Sequence, residues 1–270
     1  MAVGLLPMAA SANTLDSSYI TPDGRELGLI FPGADGLSGQ AVFRLLPGDQ
    51  SIEIVVTNAS TAVPGDPCFD NPSDQILTSL YFDLGGAGLG DGDPCLTGGQ
   101  AFVADGSVGV GKKNTLQGGD EMSNQWGYGN FKYTEEPMAF LPPNFVTAMG
   151  AHAAPFSPGK LKGPNYGAIS ALDLAGGHNA GLAAISDSVR VVVALDAPVS
   201  SLEGLVSGGN YTPAIEFGSD HEFLVFDDFP GSEVPPGEIP ESLTMVGVLL
   251  AVSVLTRYLR KRTRGFDPAR

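Results

Sequence analysis

Gly106-Ser-Val-Gly-Val-Gly111-Lys112-Lys113 has the glycines and lysine of a loop that cradles phosphates through backbone N–H groups. The position that should offer a hydroxyl to Mg²⁺ is Lys113, and Asn114-Thr-Leu-Gln-Gly-Gly119 after it is no helix, so the segment reads as a Gly-rich turn. His152, His178 and His221 are scattered, with no i, i+4 pair and no Cys/His cluster of zinc-like spacing. His178 and His221 could each join a neighbouring acid as an acid/base pair, but no Gly-x-Ser-x-Gly nucleophile accompanies them. A non-enzymatic body is the expectation, and an exported hydrolase the weakest alternative.

Two other residue sets could hold ligands. Acidic side chains gather at Asp91-Gly-Asp93, at Asp66, Asp70 and Asp74, and at Asp227-Asp228. Oxygen ligands on Gly-rich loops suit Ca²⁺, so Asp91 and Asp93 are the candidates for a structural calcium, with solvated turns as the alternative; no complete EF-hand pattern occurs. Trp126-Gly-Tyr128-Gly-Asn-Phe131 places aromatics near one another, which serves either a sugar-stacking platform or the inner face of a sandwich, the latter favoured. Cys68 and Cys95 each follow Asp-Pro, and these matching loop contexts suggest a disulfide. Closing a loop of that size contributes about 3 kcal/mol in an oxidising compartment.

The elements that must position these residues are short strands. Gly at 37 and Pro at 21 are abundant while charged residues reach only 16%, a mixture rich in turns and poor in charged helical faces. Runs bounded by turn formers fall at Leu27–Phe31, Ala41–Leu46, Ile52–Thr57, Ile76–Phe82, Ala101–Val103, Tyr128–Tyr133, Asp187–Leu195, Ala214–Phe217 and Glu222–Phe226. Glu53 alternates with Ile52 and Ile54, and Ser188–Leu195 is dominated by β-branched residues. No amphipathic helical pattern of useful length precedes the C-terminal tail. An all-β, antiparallel sandwich or jelly-roll-like domain over residues 13–232 is therefore expected, with loops and a short helical turn between Glu135 and Leu174.

The ends differ from the body. Six of the 14 basic residues lie from Arg257 onward, leaving eight against 29 of the 30 acidic residues in positions 1–256. Such a body repels nucleic acid. Residues 1–12 are apolar and close with Ala10-Ser11-Ala12, a pattern suited to signal peptidase, so cleavage would leave Asn13 first; the first basic residue is Arg25, so the signal's basic start is not among these residues. Leu243–Leu255 is apolar, and with Arg257 snorkelling the span extends over residues 243–259, about 17 residues, the short end of what crosses a bilayer. Arg257, Arg260, Lys261, Arg262 and Arg264 form a basic stop in the tail, residues 260–270 beyond the span being expected in the cytoplasm. Before the span, the Pro-rich stretch 233–242 is a spacer that ends in Pro240-Glu241-Ser242.

A Pro-Glu motif, a minimal hydrophobic helix and an Arg-rich terminus, in that order, resemble the PEP-CTERM sorting domain of Gram-negative and related bacteria. The resemblance implies recognition at Pro240 and Glu241 by an exosortase, a membrane-embedded transpeptidase-like enzyme that removes the tail; Ser242 stands where the family has proline. The body phrases Ile52–Ser60, Ile76–Asp83, Trp126-Gly-Tyr128, Asn165–Ser170 and Ile185–Val193 resemble exosortase-dependent surface proteins of unknown activity. The implied partners are the exosortase, the inner membrane in transit, and then exopolysaccharide or the outer surface. The implied role is structural or matrix-associated, with a carbohydrate- or calcium-binding adhesin as the alternative.

Overall fold

The computed structural model describes residues 15–34, 36–61, 72–84, 94–111, 114–135, 138–161, 163–171, 182–207, 211–218 and 222–226. Contacts divide the chain into Met1–Pro230 and Gly231–Arg270, and the second unit lies wholly outside the described residues. Ala10, Ala12 and Asn13 at the signal, Pro240, Glu241 and Ser242, the span 243–259 and the basic stop are all outside them too. Among the described residues no helix is long and apolar enough to cross a membrane.

The chain forms β1 (Tyr19–Ile20), β2 (Glu26–Pro32), β3 (Ser38–Leu45), β4 (Ser51–Asn58), β5 (Leu77–Phe82), β6 (Leu96–Val103), β7 (Gly109–Val110) and β8 (Gly127–Asn130). It continues with β9 (Asn144–Thr147), β10 (Ala154–Pro155), β11 (Ala168–Ile169), β12 (Ala184–Ser186), β13 (Ser188–Leu195), α1 (Gly204–Ser207), β14 (Ala214–Phe217) and β15 (Glu222–Val225). The first sheet, in the order β1-β2-β3-β4-β13-β6, is antiparallel throughout. The second runs β10-β8-β9-β5-β11-β12-β7, with the β14–β15 hairpin also joined to β5; its β11–β12 pair is parallel, so this sheet is mixed.

Alternation makes the sandwich. Leu27, Leu29 and Phe31 of β2, Ala41, Phe43 and Leu45 of β3 and Ile52, Ile54 and Val56 of β4 all turn inward, where they share one core with Leu80, Phe82, Val146, Ile215 and Phe217 of the second sheet. Phe43 and Phe82 meet edge to face at 5.5 Å across it. Asn58, 1% exposed, fastens the two sheets: its Nδ2 donates to the carbonyls of Gln75 and Ala168 at 2.8 and 2.9 Å.

Three differences from the sequence expectation have physical causes. The expected strand Asp187–Leu195 begins one residue later, because Asp187 is a corner with φ 68° where the chain leaves the second sheet at β12 and enters the first at β13. The corner holds because the Asn58 N–H donates to the Asp187 carbonyl and the Ser188 hydroxyl to its carboxylate. Within Glu135–Leu174 the described residues add β9, β10 and β11 to the expected loops, and a 3-10 turn begins at Ala171. All four residues of β9 are buried, since Val146 faces the core and Phe145 a second apolar cluster outside it, so no alternation betrays the strand. The expected strand Tyr128–Tyr133 is also shorter, ending at Asn130.

The free edge of β6 is closed along most of its length. Asn130 exchanges both amide groups with the backbone of Leu96, and the Tyr128 hydroxyl donates to the Thr97 carbonyl. Ser123 Oγ accepts from Ala101 N–H, and the Met122 N–H donates to its carbonyl. A covered edge cannot template pairing with another chain. On the solvent face of this sheet, a row of side chains crosses it: the Tyr19 hydroxyl donates to Glu26 (2.7 Å), Arg44 bridges Glu26 and Glu53 (2.9 Å each), and Arg190 reaches Glu53 (3.3 Å) while lying over the Phe102 ring.

Candidate functional site

In β5, β9 and β14 of the second sheet, the residues turned away from the core are buried as well. Glu216 in β14 is 2% exposed, and its Oε2 accepts hydrogen bonds from Ser79 Oγ at 2.8 Å and the Tyr81 hydroxyl at 2.9 Å, both from β5. Ser79 Oγ lies 2.8 Å from Thr147 Oγ1 of β9. The register that pairs Glu216 and Thr147 with Ser79 brings these groups onto one face. Burial, reinforced by the Glu216 charge, pushes the Tyr81 phenol well above its ordinary pKa, so it stays protonated and donates. The network fastens three strands around a carboxylate; it does not prepare a phenolate nucleophile.

A roof of aromatics covers this network. Tyr81 packs at 5.4 Å from Phe145, 5.9 Å from Phe223 and 6.3 Å from Tyr133. Burial likewise raises the Tyr133 phenol. At the margin of the roof the aromatics reach solvent. Phe131 is 37% exposed, the one exposed large apolar side chain among the described residues. His152 lies parallel to it, ring centroids 3.9 Å apart and planes 8° from parallel, from a backbone held at φ 55°. Lys132 stands 5.6 Å from the Tyr211 ring, and a hydrogen bond with Tyr211 raises its ammonium pKa, so it remains charged.

The motif Trp126–Phe131 therefore divides. Trp126 is fully buried in the main core with its indole N–H donating to the Tyr166 carbonyl, as the sandwich-core reading expects. Tyr128 is half-buried and stacks on Phe156. Phe131 is the most exposed ring of the three. Within Gly106–Gly111, β7 pairs with β12, the Val108 N–H donates to Ser186 Oγ and the Gly109 N–H to the Leu116 carbonyl, which commits these two amides to protein acceptors. Lys112 and Lys113 lie outside the described residues, as do His178 and His221.

Cys95 is partly buried, and its N–H donates to Asp196 Oδ1 at 2.8 Å; Cys68 lies outside the described residues. Asp91, Asp93, Asp66, Asp70, Asp227 and Asp228 lie outside them as well. Among the described residues no group of three or more His, Cys, Asp or Glu is placed to hold a metal ion. Sequence reasoning missed Glu216 altogether. In Ala214-Ile-Glu-Phe217 it alternates with the buried Ile215 and Phe217 as a solvent-facing residue would, and the cover that buries it comes from its cross-strand partner Phe223 and from the distant Tyr133 and Phe145. No family model, curated protein or solved structure matches the chain.

Proposed function

We propose that this chain is an exported bacterial surface or extracellular-matrix protein, a jelly-roll-like sandwich whose C-terminal tail addresses it to an exosortase-type processing enzyme and whose body is not an enzyme. The observation that carries the reading is the order of Pro240-Glu241, the apolar span 243–259 and the basic stop Arg257–Arg264. The span would hold the protein in the inner membrane with the acidic body outside the cytoplasm, until cleavage near Pro240 releases it to exopolysaccharide or the outer surface. A closed β6 edge suits a protein that must remain soluble at high local concentration. A Cys68–Cys95 disulfide belongs to the same reading, and non-reducing peptide mapping of exported protein should recover the two cysteines in one cross-linked peptide pair.

Fractionation of the native host tests the address. Wild-type protein should reach the surface or medium, whereas the Pro240→Ala/Glu241→Ala double variant should accumulate in the inner membrane at full length. Equal release of both proteins would end the sorting proposal.

A further inference from the structure

We propose that the exposed ring of Phe131, backed by His152, is a binding platform for a neutral pyranose of an extracellular polysaccharide. Three centroid separations define the surface: Phe131 to His152 is 3.9 Å, Phe131 to Tyr133 is 5.0 Å and His152 to Tyr133 is 5.7 Å. Were Tyr133 across the opposite face of Phe131 from His152, the last separation would approach the sum of the other two. It is far shorter, and both rings stand nearly perpendicular to Tyr133, at 81° and 89°. Tyr133 therefore flanks the stack, and neither it nor His152 covers the far face of Phe131. Phe131 is 37% exposed, so part of its flat ring meets solvent, with His152 behind it and Tyr133 at its side.

Such a face suits the C–H side of a pyranose, whose apolar hydrogens meet the electron-rich ring while its hydroxyls stay outward. The imidazole adds a polar group to an otherwise apolar stack. His152 keeps φ 55°, a conformation that a residue with a Cβ adopts at a cost and that places its ring over Phe131. The acidity of the body, eight basic against 29 acidic residues in positions 1–256, selects neutral sugars over acidic ones. One ring gives weak single-site binding, which becomes useful where many copies face one polymer. The platform deepens the matrix-associated reading and rests on it for the source of the sugar.

The test uses the full-length chain in a zwitterionic, sugar-free detergent, so binding is measured whether or not the tail is processed in cells. Methyl β-glucopyranoside and methyl β-galactopyranoside are titrated with saturation-transfer NMR readout. At least one should bind saturably through its ring C–H protons. Phe131→Ala should weaken that binding about tenfold and Phe131→Trp should retain it. Absence of saturable binding to both sugars, equal binding by Phe131→Ala, or loss in Phe131→Trp as large as in Phe131→Ala would each overturn the platform. Tail processing can fail with the platform intact, and the reverse, so the two readings fall separately.

Discussion

On the solvent face of the first sheet, Arg44 stands half-exposed between Glu26 and Glu53, and its neighbours along the row are partly wet. On the corresponding face of the second sheet, Glu216 is buried beneath Tyr81, Tyr133, Phe145 and Phe223, and its oxygen is satisfied by hydroxyls. Both faces carry a carboxylate within a hydrogen-bonded chain of side chains. They differ in cover: the first meets water, while the second is roofed by Tyr133, Met138, Phe140 and Leu141 and by Phe223 and Val225 of β15, with the exposed ring of Phe131 beside Tyr133. Charge pairing on a wet face contributes little and is screened by salt. A buried carboxylate is intolerant of change, and the covering segments are where the fold spends apolar surface on something other than its main core.

The comparison breaks most visibly at Glu216. Glu216→Ala removes the acceptor of the Tyr81 hydroxyl in an apolar setting and leaves Ser79 with Thr147 alone, and should cost about 3 kcal/mol by urea denaturation, whereas Glu216→Gln, which keeps an acceptor, should cost less. Asn58→Ala, which unfastens the two sheets, should cost about 2 kcal/mol in the same assay. Arg44→Ala should cost at most about 1 kcal/mol, and the difference should shrink as salt is added. A larger loss at Arg44 than at Glu216 would invert the assignment of the two faces.

The smallest effect is a titration confined to the wet row. Burial first, then the hydrogen bond to Glu26 and its charge, raise the Tyr19 phenol from 10.0 to about 12. A raised phenol pKa contributes stability that is whole below pH 10 and is lost as pH rises through about 12. The thermal midpoint should therefore fall over that window, and Tyr19→Phe should flatten the fall.

Strands β2, β3, β4 and β13 of the first sheet were legible because each has one wetter and one dry face. Glu53 between Ile52 and Ile54, and Arg190 among the valines of β13, mark the alternation directly. What escaped were elements whose burial is decided elsewhere in the chain. The two-residue strands β1, β7, β10 and β11 are too short to show a period, and β9 is dry on both faces. Asp187 reads as the start of a strand, yet it is the corner between sheets. Phe131 reads as a strand residue after Asn130, but the chain leaves the sheet there so that Tyr133 can roof Tyr81. Glu216 carries a local pattern pointing to solvent and a tertiary setting that removes it.

The intact mass of the protein recovered from the surface or medium of its native host, with sequencing of both ends, tests the proposed export and sorting most directly. An N-terminus at Asn13 and a C-terminus close to Pro240 are the expected result. A chain retaining Arg257–Arg270 and confined to the inner membrane would contradict it.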